Sequence, residues 1–278
     1  MMMIRFTKMH GCGNDFVVID AVSQRLYLNA EQVQILADRK YGIGCDQVIL
    51  VEPPFSPEND FFFRIYNHNG EESGMCGNAA RCFARFVVDT GLTDKTKLQI
   101  ETLHRVITTE LLQEDDVLVD MGAPEFVPSR IPFESPYQAN VYRLEMDGVD
   151  YMISALSMGN PHAVIVVDNV DTADVEGIGS NMTHHPRFPE QANVNFMQVL
   201  NEHEIKLRVF ERGVGETLAC GSGACAAVVA GKMRNLLKGE VTVHLPGGTL
   251  MIHYDQDTGS VLMQGEAIAV FSGRFRAL

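Results

Sequence analysis

Arg64-Ile65-Tyr66-Asn67, followed by Glu72-Ser73, Cys76-Gly77 and Ala80, occurs twice in outline. Displaced by 144 positions it falls on Arg208-Val209-Phe210-Glu211, Glu216-Thr217, Cys220-Gly221 and Ala224, with five identities and three close replacements. A displacement of 146 also lays Gly13-Asn14 on Gly159-Asn160, and Gln47-Val48 on Asn193-Val194. Ordered matches at nearly one offset mark an internal duplication. The chain then reads as two pseudo-symmetric halves, each running strand, loop, Cys-Gly, helix.

The flanking pattern agrees. Strand-like runs rich in Val, Ile and Phe lie at 16–20, 48–51, 61–66, 98–102, 117–121, 163–167, 195–200, 205–210, 241–245 and 250–254. Helices are fewer: 30–40 with Asn29 as N-cap, 77–89, 221–233, and a weaker one over 171–178. The stretch 221–233 is small and apolar nearly all round, and 77–89 resembles it, so both helices belong inside their halves. The fold class is α+β. A Pro-rich patch from Pro124 to Pro136 marks the boundary, giving halves of 1–120 and 121–266.

The composition excludes several functions. The chain has 278 residues, 22 Lys+Arg and 36 Asp+Glu, a net charge of −14. That acidity argues against a nucleic-acid partner, which needs a basic face. No apolar stretch approaches the ~20 residues that span a bilayer, and the first ten residues lack a signal-peptide core. Six Cys in such a chain read as reduced thiols in a cytoplasm.

Two of those thiols stand out. Cys76 and Cys220 sit at the mouths of the two buried helices. A helix N-terminus carries unpaired N–H groups and the positive end of the macrodipole, so it favours a thiolate and can hold a carboxylate. Gly77 and Gly221 let backbone approach a ligand. Two such mouths facing one another would set one sulfur on each face of a carbon. One takes a proton and the other gives one, which inverts a stereocentre by general acid–base chemistry. Cys82 and Cys225 lie six and five residues further on and point to other helix faces, so they read as buried packing, as do Cys12 and Cys45.

Other motifs fail. Gly221-Ser222-Gly223 to Ala226 lacks the preceding strand of a dinucleotide site. No Cys pair has zinc spacing, and no Lys lies beside a phosphate-cradling loop, so neither a metal nor a pyridoxal cofactor is expected. His162, after Gly159-Asn160-Pro161, reads as a turn or strand-end residue.

Four blocks together resemble the diaminopimelate epimerase family: Lys8-Met9-His10-Gly11-Cys12-Gly13-Asn14-Asp15-Phe16; Tyr66-Asn67 to Met75-Cys76-Gly77-Asn78-Ala79-Ala80-Arg81-Cys82; Met158-Gly159-Asn160-Pro161-His162; and Glu211-Arg212-Gly213-Val214-Gly215-Glu216-Thr217 to Cys220-Gly221-Ser222-Gly223. They stand in family order along most of the chain. The resemblance implies two α/β halves, each a curved, mostly antiparallel sheet wrapped round a central helix, with 267–278 returning to the first. It implies a cofactor-independent epimerase that interconverts LL- and meso-2,6-diaminopimelate for lysine and peptidoglycan synthesis. Cys76 and Cys220 would be the two bases. Asn14, Gln47, Asn67, Gly77, Asn78, Asn160, Asn193, Glu211, Arg212, Gly221 and Ser222 match substrate-binding positions. His162 and Glu211 match positions associated with activity. Relatives assemble as homodimers through a Tyr where this chain has Phe271. Thr102-Leu103-His104-Arg105 replaces a family turn, which leaves that hairpin's shape open.

Proline and hydroxyproline racemases share the two-cysteine plan, but Asn78 after Cys-Gly and the fork of Arg212 favour a substrate with two charged ends. A redox-responsive binding protein that closes a Cys76–Cys220 disulfide is the non-enzymatic alternative.

Overall fold

A computed structural model describes residues 3–276 of the chain. It divides into two compact units: one runs to Asp120 and resumes at Gln264, and the other spans Met121–Met263.

The first unit opens on β1 (Met3–Gly11) and β2 (Asn14–Asp20), then α1 (Ala21–Gln24), α2 (Ala30–Ala37), β3 (Gln47–Glu52), β4 (Phe61–Asn67) and β5 (Glu72–Ser73). It continues through α3 (Gly77–Asp89), β6 (Lys97–Glu101), β7 (Val106–Leu111) and β8 (Asp116–Asp120). The second unit holds β9 (Tyr142–Met146), β10 (Val149–Ser157), β11 (Pro161–Val166), α4 (Val175–Thr183), β12 (Asn193–Asn201), β13 (Glu204–Glu211) and β14 (Gly215–Thr217). Then come α5 (Gly221–Met233), β15 (Glu240–Leu245) and β16 (Gly248–Tyr254). The chain returns through β17 (Val261–Glu266) to β18 (Ile268–Arg276), which pairs with β1 in the first unit.

The duplication read from sequence is a duplication of topology. In the first unit β2 pairs parallel with β3, β3 antiparallel with β4, and the other edge of β4 pairs parallel with β6 at its start and antiparallel with β5 near its end. In the second unit β11, β12, β13, β14 and β15 repeat those relations in the same order. Even register and charge recur. Ile65 faces Ser73 as Val209 faces Thr217, and Arg64 pairs with Glu72 as Arg208 pairs with Glu216.

Each unit is built on one buried helix. Helix α3 packs against β1, β2, β3, β7 and β8, and α5 against β10, β11, β12, β13 and β16. Ala79, Ala80 and Ala84 in α3, and Ala224, Ala226, Ala227 and Gly231 in α5, are buried and small, so strands approach from all sides. Both helices span the predicted residues, 77–89 and 221–233.

Two helix expectations are corrected. The weak helix over 171–178 instead runs Val175–Thr183, because the Asp174 carboxylate accepts from Gly177 N at 2.9 Å and so begins the helix there. Helix α2 has its Asn29–Gln32 capping box but stops at Ala37, where the Asp38 carboxylate takes the Lys40 and Tyr41 N–H groups, both at 2.7 Å. The replaced family turn proves to be a tight loop between β6 and β7. There Thr102 Oγ1 donates to Arg105 O at 2.7 Å and accepts from Arg105 N at 3.2 Å. No helix among the described residues is long and apolar enough to cross a membrane.

Candidate active site

Cys76 is the N-cap of α3 and Cys220 the N-cap of α5, each in extended backbone and neither capping through its side chain. Their sulfurs therefore stand at the mouths of the two buried helices, where the first N–H groups lack helical partners. Each unit surrounds its cysteine differently.

In the first unit the turn between β1 and β2 sets the scene. Gly11 pairs with Asn14, so Cys12 and Gly13 form a two-residue loop with φ of 52° and 78°. Two positive φ values make the hairpin turn that matches strand twist, and Gly13 supplies one of them without strain. Asn14 emerges from that turn. Its Oδ1 accepts from Cys76 Sγ at 3.6 Å and from Asn78 Nδ2 at 3.4 Å, and its Nδ2 donates to Asp46 Oδ2 at 2.9 Å. The next residue after Asp46, Gln47, donates to Asn67 Oδ1 at 2.8 Å across the β3–β4 pair. Five residues singled out in the sequence, Asn14, Gln47, Asn67, Cys76 and Asn78, thus stand in one neighbourhood of this unit.

An ion network braces it. Asp15 receives Arg39 through both guanidinium nitrogens, at 2.9 and 2.7 Å, and Lys8 Nζ at 2.6 Å; Arg39 also reaches Asp46 at 2.8 Å. Burial raises the Asp15 carboxyl, but Arg39 and Lys8 outweigh it and hold it well below the usual carboxylate range. The Arg81 guanidinium, fully buried on α3, donates through Nε to Glu266 O at 3.1 Å and lies beside Cys12. Asp46 and Asp15 were not read as site residues. Their signal was position alone, each beside an amide side chain.

In the second unit Cys220 is 6% exposed. Its Sγ lies 3.5 Å from Ser222 Oγ, and the Gly223 N–H points at it. Here the sequence expectation of a depressed thiol pKa is overturned. Burial pushes Cys220 well above the ordinary thiol value, and the Glu211 carboxylate pushes it further. Ser222 and Gly223 N–H pull the other way and lose. Cys220 is accordingly a thiol at neutral pH, the form that donates a proton.

Glu211 ends β13 and accepts from Thr217 Oγ1 at 2.6 Å. Arg212 N donates to Asn193 Oδ1 at 2.9 Å, and its guanidinium Nη1 to Glu190 O at 2.8 Å. His162 is fully buried and bonded to Asn160 at 3.0 Å and to Asn195 at 3.2 Å. Burial drives its pKa down to about 3 against the Asn195 hydrogen bond, which pulls the other way, and the Arg212 charge adds to the fall, so the ring is neutral. Asn160, His162, Asn193, Glu211, Arg212, Cys220 and Ser222 form the second unit's constellation, with Gly221 opening its helix. Asn195, Thr217 and Gly223 belong to it and were missed. Asn195 had a signal: it lies two residues after Asn193, hence on the same strand face.

The other cysteines are packing. Cys12, Cys45, Cys82 and Cys225 are buried, and none of the six cysteines is in a disulfide. Burial pushes Cys45 up to about 12 and raises Cys12 and Cys82 as well. Phe271 stands apart on β18, half exposed, its ring edge-on to Phe6 at 6.0 Å.

Comparison with known proteins adds to this geometry. The family model described as diaminopimelate epimerase matches residues 6–127 and 154–270. A protein of Thioalkalivibrio sulfidiphilus named diaminopimelate epimerase is 53% identical over 274 residues, 98% of this chain and 99% of the relative. One of that name from Teredinibacter turnerae is 50% identical over 275 residues, 99% and 100% of the two chains. Among solved structures, a predicted epimerase from Pseudomonas aeruginosa has a TM-score of 0.70 at 16% identity, covering 98% of this chain and 99% of its own. A hydroxyproline epimerase from Agrobacterium vitis has a TM-score of 0.70 at 12% identity, covering 98% and 91%. At such identities these two attest the fold.

Proposed function

The chain belongs to the diaminopimelate epimerase family, and on that footing we propose that it interconverts LL- and meso-2,6-diaminopimelate with Cys76 and Cys220 as its acid and base. The observation that carries this reading is the repeated helix mouth. Each unit ends a two-strand pair, turns, and caps a buried helix with a cysteine followed by glycine.

Inversion at an α-carbon needs one base to remove the proton and a separate acid to return one to the opposite face. A thiolate abstracts the α-proton and becomes a thiol. The electron pair left on carbon is delocalised into the carboxylate, and the second thiol donates its proton and becomes the thiolate. No atom is gained or lost, and the reverse reaction exchanges the roles. The carboxylate that carries the developing charge is held by the first N–H groups of the helices, at Gly77-Asn78 and Gly221-Ser222, where helix termini stabilise anions. Cys220 enters the cycle from its protonated form. Glu211, beside it, keeps that proton in place until carbon takes it.

Asn14, Gln47, Asn67, Asn160 and Asn193 supply hydrogen bonds around the substrate, and the Arg212 fork suits its second carboxylate. The reaction serves lysine and peptidoglycan synthesis in the cytoplasm.

The test is proton exchange followed by NMR. Reduced, metal-stripped protein is incubated with LL-diaminopimelate in deuterium oxide without added cofactor. The expected result is deuterium at one α-carbon together with meso product. No exchange, with both thiols shown to be free, overturns the reading; proline and hydroxyproline, run in parallel, then decide for the related racemases.

The homodimer is proposed on a narrower base. Val270 and Phe271 are 55% and 50% exposed on β18, a strand exposed along most of its length, and offer an apolar surface suited to a second copy of the chain. Phe271→Asp is expected to shift sedimentation toward monomer at micromolar concentration. A wild-type protein that sediments as monomer there rejects the proposal.

A further inference from the structure

Within the second unit a set of side chains settles a question that a lone histidine leaves open. Asn195 is fully buried in β12. Its Nδ2 donates to Ala163 O at 3.1 Å, to His162 Nδ1 at 3.2 Å and, most weakly, to Asn193 O at 3.4 Å. A carbonyl oxygen only accepts, so the two main-chain carbonyls decide which end of the Asn195 amide is nitrogen. The ring atom that faces this N–H must then be the accepting one. In a neutral imidazole the proton therefore sits on Nε2. Nε2 lies 3.0 Å from Asn160 Oδ1 and donates to it. That bond turns the Asn160 oxygen toward the ring and leaves its Nδ2 as a donor for something else.

We infer that Asn195 is a positioning residue of this site: it sets the His162 tautomer and, through the ring, fixes the Asn160 amide as a donor toward an anionic oxygen of the substrate. The inference rests on the epimerase reading, which is what makes Asn160 a substrate contact.

Two further observations support it. The first is cost. Asn195 Oδ1 is buried without a hydrogen-bond partner. A Cβ built on Gly223 would come within 2.5 Å of it, so Gly223, beside Cys220, leaves the room. Burying an unpaired acceptor is unfavourable, so the gain lies at the other end of the amide, where His162 is. The second is the duplicated half. Asn14, the counterpart of Asn160, is fixed in the opposite sense: Asp46 takes its Nδ2, and its Oδ1 accepts from Cys76 and Asn78. The residues that set the sense have no counterparts. At a displacement of 146, Asp46 falls on Ala192, His162 on Phe16 and Asn195 on Ile49. The duplication supplied the same asparagine twice, and unlike neighbours made one an acceptor and the other a donor.

The experiment reads the ring directly. Protein labelled with ¹⁵N-histidine gives the ring shifts, and His162 is assigned by the signals lost in His162→Gln. In wild type the ring is expected neutral, with Nε2 protonated and Nδ1 bare, across the pH range of activity. Asn195→Asp replaces the donor with an acceptor and is expected to draw the ring proton to Nδ1. The KM for diaminopimelate then rises tenfold or more, with kcat changed less than threefold. In the His162→Gln background, where an amide donates to Asn160 irrespective of residue 195, the same substitution should change KM less than twofold. An Nδ1-protonated ring in active wild-type protein overturns the inference, even where Asn195→Asp does not fold. So does a variant with a switched ring and unaltered KM. Wild-type protein that fails to epimerise diaminopimelate sinks the functional reading, and the inference with it, whatever the spectrum shows.

Discussion

Cys76→Ala and Cys220→Ala are each expected to lower kcat/KM for epimerisation about 10³-fold, in both directions. The magnitude is that of an acid–base group removed from a proton transfer, which supplies 10²–10⁴-fold. Under the proposed mechanism both directions suffer, because each cysteine is base one way and acid the other. A missing base leaves the α-proton in place. A missing acid leaves a carbanion that can only recover the proton it lost. The fold should survive, since neither sulfur makes a capping bond to its helix and alanine fits wherever cysteine does. The measurement is turnover of LL- and meso-diaminopimelate under reducing conditions, with thermal unfolding recorded alongside. Turnover within tenfold of wild type in either variant, with the fold intact, rejects the two-cysteine mechanism.

The helices that carry those cysteines were the most legible part of the sequence. Cys-Gly before a run of small apolar residues defines both a start and a buried face, so 77–89 and 221–233 were readable to the residue. The duplication was legible because register, charge pairs and helix mouths recur together. What escaped reading did so for physical reasons. Strands β5 and β14 have two and three residues, too few for a period to show. Strand β9, Tyr142–Met146, alternates buried and exposed along its five residues, a signal that was present and unread. Helix α4 was displaced because its cap, Asp174, follows a polar turn that itself looks helical.

The site divides in the same way. Residues next to glycine and cysteine were found, whereas those acting through another side chain were not. Asp46 and Asn195 reach the site through the side chains of Asn14 and His162, and a spacing rule cannot tell a buried asparagine that orients a ring from one that packs. The thiol pKa shows a further limit. A helix mouth predicts depression, yet for Cys220 the burial that the same helix requires, together with Glu211, prevails. Sequence displays the dipole; it does not display depth.

Glu211→Gln isolates that electrostatic term. Glutamine keeps an oxygen for Thr217, which donates to Glu211 Oε1 at 2.6 Å, and removes only the charge. The Glu211 carboxylate raises the Cys220 pKa in two ways: its charge disfavours the thiolate, and it accepts a hydrogen bond from the thiol. Without the charge the thiolate becomes easier to form, so the pH midpoint for alkylation of Cys220 by iodoacetamide must move down. Catalysis moves the other way. An acid that loses its proton more readily is deprotonated in more of the enzyme at a given pH, and its conjugate base is weaker when the direction reverses. A fall of about tenfold in kcat at neutral pH is expected, well short of the 10²–10⁴-fold of the acid–base group itself. The descending alkaline limb of the rate profile should also shift to lower pH in the direction that uses Cys220 as acid. An alkylation midpoint for Cys220 that rises or holds still in Glu211→Gln would mean that burial alone sets the thiol, and Glu211 would then have no part in keeping its proton.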